Sequence, residues 1–571
     1  MLTRSLSRMT SKSSLWRSWT SNPVADYENT MDKYPWLAKD ATQPSDCHNH
    51  TCMRRTGQIS AWELDMDSLL QTPEESLYGH EQRQPYEPSV SSSASVASQA
   101  AVLEDPNLVT WTGPDDPMNP HNWPRSRKWS STLLVSCFTF ISPIASTMLA
   151  PALPTMADEL DTSSGLETYL LMSIFLLAYA VGPFVLAPLS EMYGRVVVLQ
   201  SANLVFLLFN TVCGFATTKQ QMLAFRFLSG LGGAAPQALG GGVLSDCWKA
   251  EERGRATAVY SLAPFLGPAI GPVAAGYLVQ HASWRWIFWT VSIADALVQV
   301  LALLFLPETY RPKILAVKAR RLRRATGNPD LHTEFDRPDR SFARLLGQSL
   351  ARPLIMLATQ PTIQLTGLYR AYLYGLMYLV LASFPMVWEQ QYGQAPGRAS
   401  LNYLSLGVGF VVGLQVSGPL IDRVYRALKA KHNHPGRPEF RVPLMFPTAI
   451  IAPGGLLLYG LAAHHQTHWI VPNIGAALFA LGLILSFQCA QTYVVDAYET
   501  YAASATGAAA FIRTMAGFGF PLFAPGLYDA LGIARGNALL AGVAALICVL
   551  APAVLWRYGE RIRGRSQFCA G

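Results

Sequence analysis

RATAVYSLAPFLGPAIGPVAAGYLV, residues 255–279, is apolar enough and long enough to cross a lipid bilayer, which takes about 20 apolar residues. Within it Ala263, Gly267 and Gly271 recur every four residues, so one flank of the expected helix is nearly bare of side chains. Small residues at that spacing let a second membrane helix come close. Pro264, Pro268 and Pro272 fill the neighbouring row, each removing a backbone hydrogen bond and favouring a bend. A span both smooth and bendable reads as a moving part of a membrane bundle.

The surrounding chain agrees. Its 571 residues are 50% hydrophobic and 14% charged, with mean hydropathy +0.20, whereas soluble domains run to about a quarter charged. Stretches able to span lie at 129–150, 166–188, 195–216, 220–245, 255–279 and 284–306, then at 354–386, 400–421, 442–463, 468–495, 503–528 and 535–557. The expected fold class is therefore all-α, a membrane protein of twelve transmembrane helices. The eight cysteines have no paired spacing and read as reduced thiols of an intracellular membrane protein.

Lys and Arg in the loops set the expected orientation. With the amino terminus inside, the inner loops hold eleven of them in 307–353 and six in 423–441, while the outer loops hold only Lys219, Arg285, Arg398 and Arg535. Both termini are thus expected in the cytosol. The net charge of +7 belongs to these loops rather than to nucleic-acid binding.

Residues 1–128 read as a disordered cytosolic tail, with low-complexity SVSSSASVAS at 89–98. Its first 25 residues carry Arg4, Arg8, Lys12 and Arg17 and no acid before Asp26. That resembles a transit peptide but fits better a basic tail near anionic lipid. CHNHTC, Cys47–Cys52, lacks the second ligand pair of a zinc site, and Asn49-His50-Thr51 in a cytosolic tail would not meet a glycosylating enzyme. Residues 129–306 and 354–557 form two six-helix halves around a basic loop, 307–353, with a short basic tail at 558–571. APLSEMYGR (Ala187–Arg195) follows the second span and GPLIDRVYR (Gly418–Arg426) the eighth, an internal repeat of small-Pro-Leu-x-acid. Parallel repeats of this kind are a transporter architecture with its site near midplane between the halves.

These motifs resemble those of the major facilitator superfamily, in its fungal twelve-span drug:proton antiporter branch, over residues 111–558. WTGPDDPMNPHNWP (Trp111–Pro124) is similar to that branch's pre-membrane signature. APLSEMYGR resembles the superfamily's loop motif, with Ala187, Glu191, Met192 and Val196 departing from it; Gly418, Asp422 and Arg423 are closer to type. RFLSGLGGA (Arg226–Ala234) resembles the proton-linked motif of the fourth helix, and LGPAIGPVAAG (Leu266–Gly276) the antiporter motif of the fifth. AYLYGLMYLVLASFP (Ala371–Pro385) and PLFAPGLYDALG (Pro521–Gly532) also resemble this branch. The resemblance implies alternating access powered by protons, with export of small amphipathic organic compounds such as drugs, toxins or fungal metabolites. An uptake symporter or a transporter-like sensor is the alternative.

Charged groups at depth are the candidates for coupling, since each costs roughly 2.5–3.5 kcal/mol at a helix centre. Arg226 cannot titrate at accessible pH; it either biases a nearby carboxyl or water chain, or simply bonds backbone carbonyls. Asp295 is the carboxyl candidate for proton coupling, the alternative being a structural Asp. Arg370, where the family usually has an apolar residue, would pair with an anionic substrate or with a protein carboxylate. Tyr369, Tyr372, Tyr374 and Tyr378 surround it in sequence and suit the wall of a cavity for flat molecules, or mere packing. Gln360, Gln364, Gln488 and Gln491 are further wall candidates, and Arg513 is expected to pair with Asp496 or Glu499. Glu191, Arg195, Asp422 and Arg423 are expected at the inner gate, and Gly267, Pro268, Gly271 and Pro272 at a seam near the outer gate. The row Gly230, Ala234, Ala238 and Gly242 reads as helix packing. His464, His465 and His468 read as a solvated outer loop, or a pH- or metal-sensitive one.

The chain has no Gly-x-x-x-x-Gly-Lys-[Ser/Thr] phosphate loop, no His-Glu-x-x-His and no Gly-x-Ser-x-Gly, so neither ATP-driven pumping nor the commonest hydrolase chemistries are expected. The expected partners are a small-molecule substrate, protons and the lipid bilayer, with no cofactor, no metal and no nucleic acid. A monomer in the plasma membrane is expected, the vacuolar or another internal membrane being the alternative.

Overall fold

The computed structural model describes residue 105 and residues 107–249, 252–336, 342–433, 436–566 and 568–569. The basic amino-terminal stretch, the Cys47–Cys52 segment, the sequon and the low-complexity run lie outside the described residues. Among the described residues the secondary structure is helical apart from one isolated bridge, Leu108 to His332.

The helices run α1 Arg125–Thr147, α2 Leu153–Glu159, α3 Gly165–Tyr193, α4 Arg195–Cys213, α5 Lys219–Gly233, α6 Ala235–Cys247, α7 Arg253–His281 and α8 Arg285–Phe305. They continue with α9 Arg311–Thr326, α10 Phe342–Thr359, α11 Pro361–Pro385, α12 Pro396–Leu401, α13 Tyr403–Lys431, α14 Met445–His464, α15 Ile470–Ala497 and α16 Ala502–Arg563. Among the described residues ten helices are long and apolar enough to cross a membrane. Two departures from the expected pattern have local causes. In the fourth stretch, Pro236 is the second residue of α6, two after the turn at Ala234, a first-turn position where its missing N–H costs little. Ser142 of α1 donates to the Gly233 carbonyl at that break, at 2.7 Å. At the carboxyl end α16 runs 62 residues, roughly 90 Å if straight and about three times a hydrocarbon core. Gly532, at φ 72° and ψ 169°, occupies backbone space that is essentially glycine-only. It divides α16 into arms 502–531 and 533–563, and Tyr528 donates across the bend to Asn537 at 3.1 Å.

A third difference lies at 354–386, expected as one span. Pro361 starts α11 with Gln360 in an extended conformation before it, as the residue before a proline prefers. Residues before it form α10, which packs on α3 and α16.

α1 to α8 pack mainly on one another, as do α11 and α13 to α16; the two groups meet chiefly where α3 runs against α16 and α7 against α12 and α13. α7 is a continuous 29-residue helix despite its three prolines. Its glycine face rests on α1: a Cβ on Gly267 would lie 2.8 Å from Pro143 Cβ, and one on Gly271 3.1 Å from Met148 Cγ. The expected seam with the other group is made by different residues of α7, Ala269 against Gly407 and Gly276 against Ser400. The first two members of the row beginning at Gly230 pack on α3, with Gly230 over Phe175 and Ala234 over Gly182, while Gly242 lies against Arg195 of α4.

The end of the expected tail is built into the fold. Val109 N donates to His332 O at 2.7 Å and His332 N to Asn107 O at 2.9 Å, joining the segment before α1 to the loop after α9. Asp116, 6% exposed, accepts from Thr112 N at 2.9 Å, Met118 N at 2.8 Å and Lys318 Nζ of α9 at 3.1 Å. Those backbone donors, with the Lys318 ammonium, hold its pKa down at about 2. A lowered carboxyl pKa contributes stability that is full above the ordinary value near 3.8 and lost as pH falls toward 2. Asp116→Asn is expected to loosen this clasp by about 1.5–3 kcal/mol, the worth of a charged hydrogen bond. The check is faster limited proteolysis between residues 107 and 123 at neutral pH, with the difference from the parent protein vanishing in strong acid.

Candidate functional site

Arg226 is fully buried. Its Nη1 donates to Ala145 O at 3.0 Å and its Nη2 to Met172 O at 3.4 Å. α1 ends at Thr147, so Ala145 carries one of the carbonyls a helix end leaves unpaired. A cation there also meets the negative end of the helix dipole. The guanidinium lies 4.7 Å from the Phe175 ring and 5.9 Å from that of Phe288. Of the two readings open from sequence, the geometry displays the carbonyl-bonded one, tying α5 to α1 and α3.

Asp295 is fully buried between α8 and α4. Asn203 Nδ2 donates to its Oδ2 at 2.9 Å and to Gln299 Oε1 at 3.1 Å, and its Oδ1 has no hydrogen-bond partner. Asn210, Thr211 and Ser292 continue this polar strip along the same two helices. Asp295 is seven residues beyond Phe288, roughly 10 Å along the helix, and among the described residues no ion pair joins it to Arg226. The two proton-coupling candidates therefore occupy separate interfaces.

A third cluster gathers most of the expected cavity residues. Arg370, 5% exposed, donates from Nη1 to Gln491 Oε1 at 2.7 Å and lies 5.5 Å from the Phe487 ring. Phe487 and Tyr374 lie 6.1 Å apart, Tyr374 and Tyr378 5.1 Å apart. Arg513 caps the far side, its guanidinium 4.8 Å from the Tyr374 ring. Gly517 leaves room for the Tyr374 ring, which a Cβ would meet at 2.9 Å. The cluster reaches across to the first group: Tyr378 Oη and Ser146 Oγ lie 3.0 Å apart, and Tyr179 of α3 lies within electrostatic range of Tyr374, Tyr260 and Arg513.

Other expected wall residues go elsewhere. Gln364 donates to Leu357 O and Ala358 O at the end of α10, and Gln360 to Thr359. Tyr372 donates to Leu540 O of the second α16 arm, and Tyr369 meets Thr448. Gln488 is half-buried with no side-chain hydrogen bond of its own. Arg513 does not pair with Asp496 or Glu499; Asp496 is taken by Arg441 Nε at 2.8 Å. A surface groove of about 550 Å³ opens between α3 and α16 at Gly165, Phe523, Pro525 and Asp529, away from the arginines. It has one carboxylate and no cation, so the clustered residues are the stronger site.

The end of the bundle that carries Arg195 and Arg441, here the charged end, holds the expected gate residues. Arg195 donates to Ser190 Oγ at 2.8 Å, lies 3.6 Å from Asp246 and stacks 4.7 Å from the Tyr310 ring. Glu308 accepts from Arg195 N at 3.0 Å and Val196 N at 3.3 Å, a carboxylate on the open N-terminus of α4. Gly194, at φ +105°, turns the chain there, and a side chain would run into Glu308. Asp422 pairs with Arg441 Nη1 at 3.1 Å, while Arg423 is exposed and Glu191 makes no ion pair among the described residues. Glu439 receives both Arg563 Nε at 2.8 Å and Nη2 at 2.9 Å. Asp246 and Asp496 close α6 and α15 alike, so the internal repeat held a signal for the former. Glu308, Arg441 and Tyr179 had no such signal. His464, His465 and His468 are exposed, and among the described residues no group of His, Cys, Asp or Glu is placed to hold a metal.

The Major Facilitator Superfamily model matches residues 135–521. The chain belongs to the major facilitator superfamily. Similar superfamily proteins include the efflux pump vrtL of Penicillium aethiopicum, 46% identical over 82% of this chain and 92% of that protein. The efflux pump radE of Floropilus chiversii is 39% identical over 81% of this chain and 86% of its own length. Among solved superfamily structures, the xylose transporter XylE of E. coli in a partially occluded inward-open conformation superposes with TM-score 0.55 at 15% identity, covering 76% of this chain and 98% of its own. The human organic anion transporter MFSD10 gives 0.54 at 16%, covering 75% and 100%. At such identity these structures share the fold alone.

Proposed function

We propose that this protein is a secondary transporter that exports small amphipathic organic compounds by alternating access. The observation that carries the reading is the cluster of rings and guanidinium groups at the meeting of the two helix groups, reached by Arg370, Phe487, Tyr374, Tyr378 and Arg513 from one side and Ser146 from the other. Relatives named efflux pumps support the outward direction. The fold is read as twelve spans, with α5 and α6 together one span and the arms of α16 two. Both termini and the charged end face the cytosol, and 129–306 and 354–557 form the two halves. The opposite end is then the outer gate, shut in this state by Gly276 against Ser400, Ala269 against Gly407 and Gly165 against Pro525.

The proton gradient is the proposed energy source. A charge moved through 100 mV is worth roughly 2.3 kcal/mol, and at about 1.4 kcal/mol per decade one proton holds roughly a 50-fold substrate gradient. Asp295 is the proposed titrating group, its Oδ1 free to take a proton. Asp295→Asn is expected to reduce pH-gradient-driven export from reconstituted vesicles to background while the protein still inserts and purifies normally. Near-normal export by the variant would remove Asp295 from the coupling. The protein is placed as a monomer in the plasma membrane and needs no cofactor.

A further inference from the structure

We infer that Arg370 and Arg513 form a two-guanidinium site for an organic anion, so that the exported compounds are aromatic acids rather than lipophilic cations. The inference rests on the export reading above and names the substrate class of that same site.

The two side chains are bound into one surface. Arg370 lies against Phe487, Phe487 against Tyr374, and Arg513 against the Tyr374 ring. Neither has an ion pair among the described residues. Arg370 makes a single hydrogen bond, to a neutral amide, and its buried Nε has no partner; Arg513 makes none to protein, and its Nε is likewise buried and bare. The acids that might have neutralised them are held elsewhere. Asp422 and Asp496 belong to Arg441, Glu439 to Arg563, and Asp295 accepts from Asn203 across the first group. Arg226 offers a partial contrast: its Nε is also bare, but two backbone carbonyls accept from its Nη1 and Nη2.

Leaving a buried cation unpaired is unfavourable, and a second cation nearby adds to the cost. Unfilled fork donors on both arginines are the geometry that binds a carboxylate, phenolate or sulfonate, often through two parallel bonds. The Tyr374, Phe487 and Tyr378 rings beside them supply the flat apolar wall that an aromatic acid also needs. A lipophilic cation would meet two like charges in the same place.

Fluorescein and rhodamine 6G test this directly, because they share a fused ring system but one is an aromatic acid and the other a cationic ester. Full-length protein in proteoliposomes is expected to move fluorescein under a pH gradient at mildly alkaline pH. Arg370→Gln and Arg513→Gln are each expected to cut that flux by roughly 10- to 100-fold, the loss of one charge-assisted hydrogen bond. Arg370→Lys and Arg513→Lys should keep part of it, and thermal unfolding in detergent confirms that each variant is folded. Rhodamine 6G carried and fluorescein refused leaves export standing and overturns the anion site. Equal loss of both dyes in the Gln variants also overturns it, returning the arginines to a structural role. Neither dye moved or bound by folded parent protein counts against the carrier reading for amphipathic aromatics itself.

Discussion

Arg226→Leu protein is expected to unfold at a markedly lower temperature and to export nothing. The substitution removes two charge-assisted bonds of about 1.5–3 kcal/mol each and leaves the end carbonyl of α1 at Ala145 bare. A total near 3 kcal/mol or more places it among the severe single changes. Arg226→Lys keeps the charge, but one ammonium cannot bridge Ala145 and Met172 while lying on the Phe175 ring, so about half the loss is expected. Thermal unfolding in one detergent, beside the export rate, checks both. Parent-like unfolding of Arg226→Leu with export abolished would show that the three-helix tie is not what the arginine is for.

Gly276→Leu is expected to lower export by roughly 10-fold or more without unfolding the protein. A side chain at Gly276 runs into Ser400 and comes within 2.8 Å of the Pro396 carbonyl, and Gly397 N next to them donates to Gln280 at 3.1 Å. These contacts cross from one helix group to the other, so the added bulk opposes closure of that end rather than folding of either group. Overpacking of about 1–3 kcal/mol shifts such a closure equilibrium by roughly 5- to 150-fold. The comparison is Gly254→Ala on the same helix, where a Cβ meets nothing within 4 Å and export should not change. Equal loss of export in the two variants would remove the seam from the mechanism.

Patterns that depend on neighbours along the chain were readable in the sequence. Apolar runs marked most of the long helices, and the repeated APLSEMYGR and GPLIDRVYR marked corresponding helix ends, because hydration acts segment by segment. Pairings across the bundle were not readable. Arg513 was expected beside Asp496, one loop away, yet Arg441 takes that carboxylate from a different connection. Glu308 caps a helix whose first residue lies 113 positions earlier, a distance no local pattern encodes. The glycines of α7 signalled close approach correctly, but periodicity does not say which neighbour approaches; Gly267 and Gly271 received α1 and Gly276 the other group. At Gln364 a polar residue at depth looked like cavity wall, whereas the break before Pro361 created nearer carbonyls for it. The likeness to known relatives named the family, and the orphaned guanidinium groups came only from the packed side chains.

The contact of α7 with α12 and α13 is made without charge. Small residues, the hydroxyl pair Ser146 with Tyr378 and the Gly397 N–H donating to Gln280 bring the groups together, and the ion pairs described above each stay within one group. Ionic strength therefore acts on the loop ion pairs and not on this contact. Mobile ions screen half-exposed pairs such as Arg437 with Glu560 and Arg285 with Glu159 over a length of about 8 Å in physiological salt, but they have nothing to screen in a contact between Gly407 and Ala269. Salt would loosen the loops that carry these pairs, at either end of the bundle, while the small-residue contact between the groups would not respond to it.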